Sequence, residues 1–314
     1  MRVTTAFVFL APLLAAAACC DPDPADPGSG TDAGPPRDGV TPVPLRDAGG
    51  RGCSEAAQLV YVLSDTNELY SFRPNLRQFT RVGPLRCPTT LRPNSMAIDR
   101  DAIAWVNYID PSPMPMGPPG VIYRVDTADA TCTAAQPIAL PQEFRQLGMG
   151  FSTAGMGRTD EALFIVGTGA SSARNSVGLG RIDPATGSLA RVGAFSGDLR
   201  GYNAELTGTG DGRLFGFFIT TPVQVAEIDP ASAVIRSARS LPEVERPSDW
   251  AFSFWGGAFY LYTVPSSTAQ PGRTSNVTRY RPSDDSVDPG YMTDIGFRIV
   301  GAGVSTCAPL AAPP

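Results

Sequence analysis

Two carboxylates in this chain stand where chemistry could be done on a sugar: Glu205, beside Asn203, and Asp249, between Ser248 and Trp250. Paired acids can divide proton donation from base or nucleophile work at a glycosidic bond. A tryptophan beside them offers a flat apolar face to a sugar ring. A second set is cationic: Arg92, Arg145, Arg200, Arg246 and Arg298 each open the same short pattern, two variable residues, a small or polar one, one more residue, and then Ala or Gly in most copies before an apolar side chain. Guanidinium groups grip carboxylate, phosphate or sulfate through paired hydrogen bonds, so such a set suits an anionic ligand. The same arginines could instead tie neighbouring repeats together through backbone carbonyls or acids. Tyr108, with Met114 and Met116 in the long stretch 107–120, forms a third, apolar group suited to a protein partner.

Composition removes many other chemistries. Among 314 residues there is no histidine, and all 25 basic residues are arginine. A Ser-His-Asp triad, a histidine metal cluster, an imidazole acid–base pair, a P-loop lysine and a Schiff base are therefore excluded. Asp65, Asn67 and Glu68 could offer oxygen to calcium, but they lack the spaced acids of a dedicated loop, and a tight turn is the expectation. No metal and no cofactor is expected. Residues 1–50 hold six of the 30 acids and three of the arginines; the remainder, 24 acids against 22 arginines, is near neutral. That balance lacks the basic excess of a nucleic-acid binder.

The elements that must position these groups repeat five times. Apolar runs at 59–62, 103–106, 163–166, 214–217 and 259–262 are short and rich in β-branched and aromatic residues, 44 to 60 residues apart. They read as buried strands. Downstream of each lies a strand that ends in a turn, at 69–74, 122–127, 179–184, 225–230 and 277–282, three of them closing on Asp or Asp-Pro and two on Arg-Pro. The third runs Asp183-Pro184-Ala185-Thr186-Gly187: Asp bonds the backbone ahead of it, Pro presets the turn and Gly accepts positive φ. The arginine pattern supplies a further strand in each repeat.

Five copies of about 50 residues with about four short strands each resemble a five-bladed β-propeller. The small residues of the arginine pattern then belong to the innermost strands, which crowd around an axis. The last arginine copy, at Arg298, has no outer strands after it, and the run at 59–62 has no inner strand before it. The C-terminal strand is thus expected to complete the first blade. That arrangement would set Cys307 beside Cys53, and leave Cys87 and Cys132 at similar offsets after their outer hairpins to pair with each other. The resemblance further puts the five arginines around one axial opening. It also brings the runner-up activity, because some five-bladed propellers are glycosidases.

The ends read as an address. Residues 1–18 have Arg2 followed by a short apolar run, as an export signal does. The Ala16-Ala17-Ala18-Cys19 junction is similar to the lipobox of bacterial lipoproteins, in which the cysteine carries the lipid; cleavage that releases a soluble protein is the alternative. Residues 19–50, rich in Pro, Asp and Gly, are expected to be a disordered tether. Residues 51–314 then form the propeller. The chain resembles exported, lipid-anchored bacterial β-propellers with strand–Asp-Pro-x-Thr-Gly repeats. The resemblance implies a monomeric, non-catalytic binding module at the cell envelope, facing a protein or glycan partner and touching the membrane through its lipid alone. The alternative is a glycoside hydrolase using Glu205 and Asp249.

Overall fold

In a computed structural model, residues 52–110, 120–133, 136–168, 176–268 and 272–313 are described. The export signal, Cys19, the tether, Met114 and Met116 lie outside them.

Each apolar run becomes a strand with two covered faces. Val60 and Val62 pack toward one neighbouring sheet and Tyr61 and Leu63 toward the other, and all four are buried. Successive side chains leave a strand on opposite sides, so a strand between two sheets must be apolar at every position.

Twenty strands form five four-stranded antiparallel sheets among the described residues. Blade one contains β1 (Val60–Ser64), β2 (Glu68–Arg73) and β3 (Gln78–Pro84). Blade two is β4 (Arg92–Ile98), β5 (Ile103–Ile109), β6 (Gly120–Asp126) and β7 (Ile138–Leu140). Blade three is β8 (Gln146–Thr153), β9 (Glu161–Thr168), β10 (Ser176–Ile182) and β11 (Leu189–Gly193). Blade four is β12 (Ala204–Gly208), β13 (Leu214–Phe218), β14 (Val223–Ile228) and β15 (Ile235–Leu241). Blade five is β16 (Pro247–Trp255), β17 (Ala258–Pro265), β18 (Asn276–Arg281) and β19 (Ser286–Met292). Finally β20 (Ile299–Val304) returns to blade one and pairs antiparallel with β1, Val60 opposite Val304 and Val62 opposite Ala302.

The innermost strands touch in the ring order β20, β4, β8, β12, β16 and back to β20. Five apolar clusters fill the five gaps between blades. The Cys53–Cys307 disulfide fastens the segment before β1 to the one after β20, and Cys87–Cys132 joins the exit of blade one to the outer turn of blade two.

The outer turns share one backbone device. The fifth residue of each is left-handed: Arg77 (φ 51°), Ala130 (φ 62°), Gly187 (φ 69°), Ala233 (φ 63°) and Asp285 (φ 53°). Asp183 and Asp229 each accept two backbone N–H groups from the residues that follow, at 2.8 to 3.2 Å. The same local bonding holds the turn whether its left-handed residue is Gly187 or Ala233.

Tyr108 departs from expectation. The strand β5 continues through Ile109, which carries Tyr108 out of the loop and into the gap between blades one and two. It is buried, its hydroxyl donates to Asn67 Oδ1 at 2.8 Å, and its ring meets Tyr123 edge-on. It packs blades together and offers no face to a partner. The Asp65–Glu68 stretch is a turn, with Asn67 at φ 65° and Glu68 paired to Arg81.

Candidate functional site

All five inner strands start at one end of the ring, and the residues that open them decide what this mouth offers. Asn94 on β4, Gln146 on β8, Glu205 on β12, and Ser248, Asp249 and Trp250 on β16 line a depression of about 160 Å3. Pro93 and Val300 complete the lining, so all five blades contribute, and polar groups share the depression with the Trp250 face and these two apolar side chains.

Glu205 forms its buried side. The carboxyl accepts the Ser95 hydroxyl at 2.8 Å and is also bonded by the Met149 backbone. Burial pushes its pKa well above the ordinary carboxylate range, and those two hydrogen bonds offset only part of the rise. The neutral acid is favoured, which can donate as well as accept.

Asp249 is held differently. Its Oδ2 accepts the Ser248 hydroxyl at 2.9 Å and Nη1 of Arg298 at 3.3 Å, in a half-buried ion pair between blades five and one. The neighbouring Asp65 has its pKa raised by loss of hydration, with Arg298 opposing the rise and Asp249 adding to it.

The wall opposite is neutral. Asn94 Nδ2 donates to Asn107 Oδ1 and to the Leu147 carbonyl, both at 2.9 Å, and buried Asn107 donates in turn to the Val121 carbonyl at 3.3 Å. This amide pair pins blade two to blade three and fixes the direction of Asn94.

The five arginines separate into two groups. Arg298 pairs with Asp249 and donates to the Arg273 carbonyl at 2.9 Å, and Arg145 donates to the Asp110 carbonyl, so both brace the ring. Arg92, Arg200 and Arg246 are exposed, and none of the ion pairs among the described residues includes them. Arg92 is the first residue of β4 and Arg246 immediately precedes β16, each followed by a proline that holds the preceding backbone extended. Arg200 sits four residues before β12, after a 3-10 turn at Gly197–Leu199.

Counting from the arginines aligns Asn203 with Ser95, and the Ser95 hydroxyl meets Glu205, two residues beyond Asn203. Asn94, Ser95 and Gln146 were not singled out from sequence. Asn94 and Gln146 occupy variable positions of the arginine pattern, and Ser95 its small or polar position.

No protein-family model and no curated protein matches the chain. Solved structures with low similarity include the Dos1 propeller, at 11% identity and a TM-score of 0.39, aligned over 71% of this chain and 53% of that one. A protein of unknown function from Bacteroides caccae aligns over 79% of this chain and 98% of its own, at 11% identity and a TM-score of 0.41. A calcium-binding regucalcin from Agrobacterium tumefaciens aligns over 70% and 68%, at 14% identity and a TM-score of 0.43. A GH74 xyloglucanase from Xanthomonas campestris aligns over 74% of this chain and 36% of its own, at 16% identity and a TM-score of 0.40.

Proposed function

We propose that this chain is a non-catalytic binding propeller acting outside the cytoplasm, and that its entry mouth takes a glycan carrying a carboxylate or sulfate group. One observation carries this reading. Trp250, the amides of Asn94 and Gln146, the Ser248 hydroxyl and the acid of Glu205 converge from four blades on one small depression. An aromatic face with a few fixed polar groups is what orients a sugar. The exposed Arg92, Arg200 and Arg246 at the blade entries supply bidentate donors for an anionic substituent.

The binding role is favoured over hydrolysis because both acids are engaged. Glu205 is tied to Ser95 and Met149, and Asp249 shares its charge with Arg298. The hydrolase alternative draws on one feature, the preference of Glu205 for its protonated form, which a general acid requires. Glycan-array binding tests the proposal: uronate or sulfated oligosaccharides should be retained by the chain and lost by Trp250→Ala. Retention of no glycan would overturn it. Cleavage of a bound oligosaccharide that disappears in Glu205→Gln would establish the alternative.

The two disulfides suit an oxidising compartment. Export through residues 1–18, a tether over 19–50 and lipid attachment at Cys19 complete the proposal, as a monomer anchored at the cell envelope. Intact-mass measurement of the mature protein reads the acyl chains directly, and a soluble, unacylated product would remove the anchor.

A further inference from the structure

Beside Trp250 a small recess leads off the mouth, between blades three and four. Gln146, Glu205 and Trp250 line both the recess and the main depression, so a sugar ring on the Trp250 face lies at its opening. Successive residues of β8 turn to opposite neighbours. Leu147 and Met149 pack into the apolar cluster shared with blade two, which leaves Gln146 and Gly148 turned toward β12.

The inner end of the recess is apolar. Val166 on β9 and Ala204 on β12 are buried members of the cluster between blades three and four. Gly148 sets the backbone of β8 against the Ala204 carbonyl, where a Cβ would overlap it. The rim is polar: half-buried Gln146 and Asn203 bring an amide each, from blades three and four, and Glu205 brings its carboxyl. About 20 Å3 is open to the centre of a water-sized group, which exceeds the need of one water and admits one methyl.

We propose that this recess receives the acetamido group of an N-acetylated sugar, with its methyl between Val166 and Ala204 and its amide against Gln146 and Asn203. The inference rests on the glycan reading of the mouth and names the sugar class within it.

The lining separates this substituent from others. A carboxylate or sulfate would lose its water against Val166 and Ala204 and would face the Glu205 carboxyl, so the anionic group belongs at the exposed arginines. A hydroxyl is too short to cover the apolar end. A bare methyl covers it but leaves the rim amides unmatched. The acetamido group ends in a methyl and carries one acceptor and one donor behind it, and a side-chain amide can answer either.

Titration calorimetry tests this on the full chain with three uronate-containing oligosaccharides, which differ only in an acetamido, a propionamido or a hydroxyl group at one ring carbon. The acetamido ligand should bind about tenfold more tightly than the hydroxyl one, from one buried methyl and one hydrogen bond. The propionamido ligand, a methylene too long, should lose that gain. This ranking needs no variant. Val166→Ala lengthens the apolar end, so it should bring the propionamido ligand at least level with the acetamido one and leave the hydroxyl ligand unchanged. Equal affinity of the parent for all three overturns the recess and leaves the binding reading standing, as does a Val166→Ala chain that ranks them as the parent does. Binding of none of the three overturns the binding reading and the recess with it.

Discussion

Ser95 on β4 donates its hydroxyl to Glu205 Oε2 on β12 at 2.8 Å, linking blades two and four past the intervening blade three. The contact is possible because β8 presents Gly148 there. A Cβ at that position would overlap the Ala204 carbonyl and stand 2.7 Å from Glu205 Cα. The inner strand of blade three is shaved to backbone so that one carboxyl can reach the centre of the ring.

Replacing Glu205 separates its shape from its proton. Glu205→Gln keeps the volume and an acceptor for Ser95 but cannot ionise. An acid whose folded pKa is raised contributes stability below its unfolded value and loses it as pH rises through the folded one. The variant should therefore gain on the parent as pH rises above the ordinary carboxylate range, read from urea midpoints; a pH-independent difference would show that burial does not perturb this acid. Glu205→Ala instead leaves the Ser95 hydroxyl and the Met149 backbone without their partner and opens a cavity, costing about 2–4 kcal/mol where the parent acid is neutral and less as pH rises.

Gly148→Ala tests the crowding directly. The new methyl would press on backbone atoms of β12, which cannot rotate away as a side chain could. Overpacking of this kind costs about 1–3 kcal/mol, and the Glu205–Ser95 bond should break with it. Thermal unfolding should show the loss. By contrast Gly272→Ala, where nothing lies within 4 Å but φ is +90°, should carry backbone strain alone.

These examples show how unevenly the molecule was legible from its residues. The strands were readable because inter-blade packing demands apolar residues on both faces, and closure was readable because the first repeat lacked its inner strand while the last arginine copy lacked outer strands. The left-handed turn position was legible in blade three alone, where Gly187 fills it. Arg77, Ala130, Ala233 and Asp285 occupy the same conformation without advertising it. Tyr108 was misjudged because the prolines that mark a loop begin only at Pro111, three residues beyond it. The pairing of Asp249 with Arg298 crosses from blade five to blade one, and the Glu161 carboxyl accepts from residues 145 and 61 positions away. Nothing local announces such contacts, since ring geometry creates them.

The two disulfides should differ in weight. Cys53–Cys307 spans 254 residues and Cys87–Cys132 spans 45. In the chain-entropy view the longer loop contributes about 1.5 kcal/mol more, on a scale of about 2–5 kcal/mol for losing a native bridge. Cys53→Ser with Cys307→Ser should accordingly lower the denaturation midpoint further than Cys87→Ser with Cys132→Ser. Loss of the ring-closing pair should also raise hydrogen exchange in β20 first, because that strand is held otherwise by β1, by its inner-strand neighbours and by one bond from Ile299 to Ser275.

The arginines give the sharpest test of the mouth. Arg92 and Arg246 are exposed and pair with no acid among the described residues, so Arg92→Gln with Arg246→Gln should leave the unfolding free energy within about 1 kcal/mol of the parent. Arg298→Gln removes the partner of a half-buried Asp249 and should cost more. Binding should divide the same residues in the opposite way. The double variant should lose most of its affinity for a uronate or sulfated oligosaccharide and most of the salt dependence of that affinity, because screened charge is what it removes. Affinity for a neutral oligosaccharide stacked on Trp250 should be unchanged. Salt-independent binding of charged and neutral glycans alike would assign all five arginines to bracing the blades.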